Sequence, residues 1–329
     1  MAVKKEILYL TQQDVTNTGL TMAEIVDILD EVFREKSAGN YEMPPKIGIH
    51  TRPDDFMHAM PCWAQKWEAS GIKWVSGYKH NPKDYGLGYI NGLLILNDVM
   101  TGVPYSIMDC IWITAMRTGG VSGLSAKYLA RKDASTVAML ACGAQARTSL
   151  EAFKITVPNL KTVWCWDVFP EAAEKYAKEM KAKLPDLDFH VTTSVQEAVQ
   201  DADIIGTHAP VVKEDVGVID KAWLKKGVTV CAVDVDVLWK KGSVVGTFDK
   251  YYNDDHGQFK AFKEKGDIKH IPGLPDELGD MIAGKVPGRE SDDENIFAAN
   301  IGLAFDDIAV ADAVYKLAVK KGLGTVLPL

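Results

Sequence analysis

The chain has 329 residues, 47% of them apolar and 25% charged, and carries a net charge of −8 with both signs dispersed. That length allows two domains with separate cores, and the composition is that of an ordinary globular protein. With no basic run and no apolar run of membrane-spanning length, neither nucleic acid nor a membrane is expected as a partner.

Residues 1–15, MAVKKEILYLTQQDV, hold two lysines and only a brief apolar patch before polar residues follow. They predict a short strand from Glu6 to Leu10 and no signal peptide. Thr21-Met22-Ala23-Glu24 has capping-box spacing. Behind it Ile25, Ile28, Leu29, Val32 and Phe33 recur at the intervals of a one-faced helix. From Lys46 to Asp109 the period changes. KIGIHTRP, FMHAMPCW, GIKWVSGY, GLLILND and PYSIMD read as strands, with a hairpin at Met100-Thr101-Gly102. A mixed or antiparallel sheet with a leading helix is the expectation. Trp112–Leu129 then reads as a helix carrying Gly119, Gly120 and Gly123. Each glycine costs roughly 1 kcal/mol against alanine in a helix interior. Close approach of a backbone or ligand, a helix break, or tight packing would each account for them.

From Ala134 strands and helices alternate. VAMLAC, TVWCWD, DFHVT, DIIGTHA and GVTVCAVDVD are the candidate strands, with helices in PEAAEKYAKEMKAKL and SVQEAVQDA. This order implies an α/β, doubly wound parallel sheet, which binds ligands at the carboxyl ends of its strands. The rule points to Ala141–Ala146, Asp167, Thr207-His208 and Asp234–Asp236. Gly266 to Arg289 reads as a Gly/Pro-punctuated connector. Asp306 to Lys321 reads as an amphipathic helix that returns to the first domain.

The turn Ala141-Cys142-Gly143-Ala144-Gln145-Ala146 follows a buried strand and opens a helix. On the dinucleotide fingerprint G-x-G-x-x-G/A its three special positions are Ala141, Gly143 and Ala146. The retained glycine is the one where backbone approaches a pyrophosphate. Alanine suits the third position, and fits the first if its φ stays negative. Asp167 ends the next strand about 20 residues on, where a ribose 2′-hydroxyl needs an acceptor. It also suits the cap of the following helix. A carboxylate there repels a 2′-phosphate, which favours NAD over NADP.

The five cysteines are odd in number and contain no Cys-x-x-Cys, so they read as reduced thiols of a cytoplasmic protein. Cys142 lies in the phosphate turn, either as an oxidation-sensitive spot or as a small filler. The seven histidines show no spacing for a metal. Asp234 and Asp236 stand at the end of a buried strand, on one face by alternation, as acid–base candidates or as loop caps. Lys73 lies between Ile72 and Trp74, facing either solvent or a bound carboxylate. Lys46, after Pro44-Pro45, has the same two readings. Arg117 precedes the helix glycines, and a guanidinium suits bidentate carboxylate binding.

The order of motifs goes further. MPPKIGIH, HAMPCW, GIKWVSGYKHNP, NGLLILNDVMTGVPYSIMD, ITAMRTGGVSGLSAKYL, CGAQAR, WCWD, AVDVD, ELGDMIAGKVPGR and NIFAANIGLAFDDIAVADAVYKLAVKKGLGT follow one another. In this the chain resembles the ornithine cyclodeaminase/μ-crystallin family over nearly its whole length. The resemblance implies a Rossmann-type NAD-binding domain, placed at 131–303. It also implies a mixed α+β substrate-binding and dimerisation domain, placed at 1–130 with 304–329, and a homodimer. It implies hydride transfer at the α-carbon of a small amino, imino or 2-oxo acid. By motif position Lys46, Lys73 and Arg117 would hold the substrate carboxylate, and Met60 would line the pocket. Asp236 would be the catalytic carboxylate. Thr118, Ala141, Gly143, Ala144, Gln145, Asp167, Thr207 and Asp234 would serve the cofactor. Asn300-Ile301-Gly302 would close over the nicotinamide. The chain departs from the family pattern at Ala141, usually glycine, and at Lys46, usually arginine. It departs again at His58, where cyclodeaminases resemble one another in a glutamate that receives the distal ammonium. Histidine is neutral or cationic near pH 7, so the expectation is an amino-acid dehydrogenase or imine reductase. The alternatives are ornithine or lysine cyclodeamination with retained NAD and release of ammonia, or a non-catalytic small-molecule binder.

Overall fold

The computed structural model describes residues 5–212 and 214–329. The chain forms two compact units, one reaching to Arg117 and resumed at Leu303–Leu329, the other Thr118–Gly302. The division falls inside a helix, whereas the sequence reading set it near residue 130.

In the first unit the elements are β1 (Glu6–Leu10), α1 (Gln12–Asn17), α2 (Met22–Ala38), β2 (Tyr41–Glu42) and β3 (Ile47–Ile49). There follow β4 (Phe56–Ala64), β5 (Ala69–Gly77), α3 (Asn81–Asp84), β6 (Ile90–Asp98), β7 (Pro104–Asp109) and the start of α4 (Ile111–Leu129). The strands make one eight-stranded sheet together with the C-terminal strand Thr325–Pro328. Every pairing is antiparallel except that of β1 with β7. Thr21 caps α2 with the expected box: its hydroxyl accepts the Glu24 amide while Glu24 reaches back to the Thr21 amide.

Register sorts the residues of this sheet. Met60 pairs with Lys73, Lys73 with Leu94, and Leu94 with Met108. All four are buried. Antiparallel partners share a face, so this row is one side of the sheet. The helix Ala304–Lys321 packs on that side against β4, β5 and β6. Its Ile308 lies over Gly71, where a Cβ would stand 3.0 Å from the Ile308 Cδ1. The other side carries Trp63, Trp74 and Leu93, which remain exposed.

The second unit holds the rest of α4, then β8 (Thr136–Leu140), α5 (Ala144–Thr156), β9 (Thr162–Trp166), α6 (Pro170–Lys183), β10 (Asp188–Val191) and α7 (Val195–Val199). β11 (Ile204–Thr207), β12 (Thr229–Ala232), β13 (Lys250–Asn253), α8 (His256–Lys265), β14 (Asp276–Glu277), α9 (Leu278–Ile282) and β15 (Ile296–Ala299) complete it. Beyond it lie α10 (Ala304–Lys321) and β16 (Thr325–Pro328) of the first unit. The eight strands run in the order β10-β9-β8-β11-β12-β15-β13-β14, all parallel. Alternate residues feed two cores: Leu140, Ile205 and Val230 one, Met139, Ile204 and Cys231 the other. A sheet buried on both faces is the doubly wound arrangement, and its strand order reverses between β8 and β11.

The structure corrects two element readings. The strand read as GVTVCAVDVD ends at Ala232, and Val235 has φ +64°, a value no extended strand accommodates. The connector 266–289 contains β14 and α9. The glycines of α4 serve packing. A Cβ on Gly119 would stand 2.4 Å from the Thr148 carbonyl carbon, and one on Gly123 2.5 Å from the Ala152 Cβ, so α5 lies directly on this helix.

Candidate functional site

The phosphate turn sits between β8 and α5, at the point where strand order reverses. Gly143 is the N-cap of α5, with φ −80° and no side chain to satisfy the first amides of the helix. Those amides and the helix dipole make an anion site. A Cβ at Gly143 would meet nothing within 4 Å. The protein's own packing and backbone therefore do not require glycine here. The open space suits a ligand group lying against the backbone, as a pyrophosphate does. Gly143 and Ala144 are exposed and Gln145 is half-buried. The turn is held from beneath. Asp167 accepts the Cys142 amide at 2.7 Å and the Phe169 amide at 3.0 Å, so its carboxylate is fixed yet keeps lone pairs for a ribose hydroxyl. Arg147, a residue the sequence reading passed over, donates to the carbonyls of Cys142 and Gly143, both at 2.8 Å, and pairs with Glu179 at 2.6 Å.

Ala141 overturns one expectation. Its φ is +63°, in the left-handed region, where the reading required a negative value. The first fingerprint position thus keeps the conformation that favours glycine and imposes it on alanine, at a cost of about 1–2 kcal/mol.

Thr207 ends β11, and its hydroxyl donates to Asp234 Oδ1. Asp234 Oδ2 is buried with no partner among the described residues. Burial pushes the Asp234 carboxyl up to about 7, against the Thr207 hydrogen bond that lowers it. Asp236, expected as the catalytic carboxylate, is committed elsewhere. Its Oδ2 accepts the amides of Lys269, His270 and Ile271 at 2.9, 2.6 and 3.1 Å. Three successive amides around one oxygen form an anion nest, so Asp236 clamps the 269–271 segment. The two aspartates hold Val235 between them in its strained conformation, and such strain concentrates at functional sites. They do not share the face of a strand, because the strand has ended. Beside them His208 is buried with Nδ1 3.3 Å from the Leu140 carbonyl, and burial lowers it to about 4, so it is neutral. The Asn300 amide donates to the Ala232 carbonyl at 2.8 Å, Ile301 packs on the core that includes Ala232, and the Gly302 amide donates to Asp254. Thr118 is buried on α4.

In the first unit Lys73 settles its ambiguity: it faces inward and is 1% exposed, while Trp74 faces out. Its Nζ lies 2.6 Å from Asp307 Oδ2. Lysine has three N–H groups, so this close ion pair leaves others without an acceptor among the described residues. Arg117 Nε donates to the other oxygen, Oδ1, at 3.0 Å. Asp307, fully buried on the first turns of α10, was not singled out from sequence. The signal available was faint, a pair of acids opening a helix. Lys46 directly precedes the first β3 pair, Ile47 with Ala59, so the same register sets it opposite Met60, itself paired with Lys73. His58 pairs with Gly48 and Val75, and its ring stacks on Phe56 at 4.3 Å. Lys46, Met60, Lys73, Arg117 and His58 thus gather on the α10 side of one sheet. A buried ammonium with N–H groups to spare fits an anionic ligand group such as a carboxylate. Among the described residues no group of histidine, cysteine and carboxylate side chains could hold a metal.

The chain is similar to known proteins over nearly its whole length. The family model described as ornithine cyclodeaminase/mu-crystallin matches residues 5–322. Alanine dehydrogenase of Archaeoglobus fulgidus is 33% identical, over 97% of this chain and 98% of its own. Among solved structures, Thermococcus litoralis Delta(1)-pyrroline-2-carboxylate reductase, in complex with NADH and L-proline, superposes with a TM-score of 0.85. It is 30% identical, over 97% of this chain and 99% of its own. An archaeal alanine dehydrogenase dimer with bound NAD gives a TM-score of 0.83 at 30% identity, over 98% and 99%. The chain belongs to the ornithine cyclodeaminase/mu-crystallin family.

Proposed function

We propose that this protein is an NAD(H)-dependent oxidoreductase acting at the α-carbon of a small amino or imino acid, as a dehydrogenase or imine reductase. The observation that carries the reading is Lys73: an inward, buried ammonium with N–H groups to spare, joined to Arg117 through Asp307. Lys73, Arg117 and Lys46 bind the substrate carboxylate. Anchoring that charge fixes the α-carbon, and positioning of this kind supplies much of an enzyme's rate. Met60 and His58 bound the side-chain end of the pocket. His58 brings no carboxylate for a distal ammonium, which disfavours ornithine and lysine.

The residues of the phosphate turn fit a dinucleotide, since Gly143 leaves its cradle open. Gly143, Ala144 and Gln145 hold the pyrophosphate and Asp167 the ribose, whose bare hydroxyls it prefers to a phosphate. Ala141, Thr118, Thr207, Ile301 and Gly302 complete the cofactor site. When bound, the nicotinamide supplies or removes a hydride at the α-carbon. Asp234 takes up and returns the amine proton at Oδ2, while Asp236 keeps its segment in place. The protein works as a homodimer through the exposed face of the first sheet. The unpaired thiols of all five cysteines support a cytoplasmic setting.

NADH absorbance tests the reading, with a panel of 2-oxo acids given ammonia or methylamine and with a cyclic imino acid. Oxidation of NADH that needs the imino acid, or both carbonyl and amine, is the expected result. Lys73→Met then lowers kcat/KM sharply, with residual turnover still measurable, and leaves NADH affinity intact. A flat trace across the panel, with ammonia released from ornithine or lysine in the presence of NAD, would replace the reductase by a cyclodeaminase.

A further inference from the structure

Two buried cations on different elements meet at a single carboxylate. Lys73 stands in the middle of β5, Arg117 on α4, and Asp307 on α10, with one Asp307 oxygen turned to each. We propose that Asp307 is a positioning residue for carboxylate recognition: it draws the Lys73 ammonium and the Arg117 guanidinium to adjacent places for the incoming substrate. The inference rests on the reading of Lys73 and Arg117 as the carboxylate anchor.

Each part has a physical cause. Like charges repel, and both side chains are long enough to swing apart if nothing holds them. The two oxygens of one carboxylate fix two donors at a set spacing. Asp307 itself gains from its place near the N-terminus of α10, where the helix dipole favours an anion. Burial drives the Lys73 ammonium towards its neutral form and the Arg117 charge adds to that, while Asp307 opposes both. Two further titratable groups lie on this side: Lys46, set opposite Met60 by register, and Cys110, just before α4, whose thiol burial raises to about 11. Cys110 is therefore a neutral thiol across the neutral range. Around Lys73 the apolar partners in register, Met60 and Leu94, provide no other counter-ion. Among the described groups acting on Lys73, Asp307 is thus the strongest that favours the charged form of the lysine.

The test is steady-state kinetics at saturating NADH, with the imino acid or carbonyl–amine pair that the wild type uses, from pH 6 to pH 9. NADH affinity is followed by fluorescence. Asp307→Asn is expected to raise KM for the carboxylate substrate by about tenfold or more, as loss of a charge-assisted contact does. NADH affinity stays as in the wild type. The pH profile of 1/KM falls at lower pH than in the wild type, as Lys73 gives up its proton earlier. Asp307→Glu restores part of the loss. In a Lys73→Met background, Asp307→Asn costs less than it does in the wild type, because only Arg117 is left for the carboxylate to hold. An unchanged pH profile, or a loss of full size in the Lys73→Met background, overturns the proposal. If Asp307→Asn does not fold, the comparison of Lys73→Met with Lys73→Met/Asp307→Asn decides, since the double variant removes ammonium and carboxylate together. Wild-type kinetics in Lys73→Met would instead overturn the carboxylate-anchor reading itself. An impaired Lys73→Met beside a wild-type Asp307→Asn leaves that reading standing and removes only the role of Asp307.

Discussion

At the scale of single residues the phosphate turn divides the work of glycine between two positions. Gly143 has an ordinary φ of −80° and open space around its absent Cβ. Ala141 has the glycine conformation and no glycine. The two therefore respond differently to substitution. Gly143→Ala is expected to leave the unfolding midpoint unchanged and to weaken NADH by about tenfold or more, because its methyl enters the space a pyrophosphate needs. Ala141→Gly is expected to stabilise the fold by about 1 kcal/mol through relief of the left-handed strain. Urea unfolding and NADH fluorescence titration of the two variants measure both effects. Equal losses of stability and affinity at Gly143 would mean that packing alone requires it. Asp234 gives a second residue-scale prediction. Its folded carboxyl titrates at about 7, well above an unfolded aspartate near 4. Between those values the folded protein holds a proton that the unfolded chain has released. Stability from this group is then full below about pH 4 and is lost as pH rises through about 7, at up to about 1.4 kcal/mol per pH unit. Urea unfolding from pH 5 to pH 8 should show this fall, and Asp234→Asn should flatten it. The imine-reduction rate should lose its limb near pH 7 in the same variant, whereas Asp236→Asn should lower stability and keep the limb. An unaltered limb in Asp234→Asn would move the proton to another group.

At the scale of elements, α4 and α5 meet through glycines, and the contact is backbone on side chain and backbone on backbone. Helix propensity alone predicts that Gly119→Ala stabilises α4 by roughly 1 kcal/mol. The structure predicts the opposite sign. The new Cβ would stand 2.4–2.7 Å from the Thr148 carbonyl and the Ser149 amide nitrogen, which cannot swing aside as a side chain can. The net effect should be a loss of about 1–3 kcal/mol, the usual range for overpacking, read as a lowered urea midpoint. A neutral or stabilised variant would show that α5 shifts freely. What was legible from sequence at this scale follows from pattern length. The strands of the first sheet alternate over nine residues in β4, β5 and β6, so their existence was plain. Strands β13 and β15 have four residues each and β14 two, too few to show a period. The aspartates after β12 were read into the strand because Val233 and Val235 continue its alternation, and only the backbone reveals that Val235 has turned over. Alternation also leaves two phases: nothing in GIKWVSG says whether Lys73 or Trp74 faces inward. The carboxylate that decides it, Asp307, stands 234 positions later, where neither period nor spacing links the two.

At the scale of the whole molecule, the choice of Lys73 for the inner face has a consequence on the outer one. With the lysine turned in, register sets Trp74 opposite Leu93 and Ala59, and Ile72 opposite Ile95 and Pro61, all on the other side of the sheet. Trp63, Trp74 and Leu93 remain 40%, 43% and 43% exposed. A monomer rarely leaves so continuous an apolar face to water, and aromatic residues at the centre of such a face are characteristic of interfaces. An archaeal relative of matching fold is a dimer. A twofold contact through this face would pair each patch with its copy. Because Lys73 and Trp74 are neighbours on one strand, the same contact would also stiffen the strand that presents the carboxylate anchor. Trp74→Glu puts two like charges near the centre of the contact. It should convert a dimer into a monomer in sedimentation equilibrium, with stability lowered and concentration dependence of the melting temperature abolished. Turnover should fall with the dimer, while NADH affinity, proposed above to rest on the turn after β8, should hold. A Trp74→Glu protein that sediments as the wild type does would show that the subunits, if paired, meet elsewhere, and would leave the outer face of this sheet without an occupant.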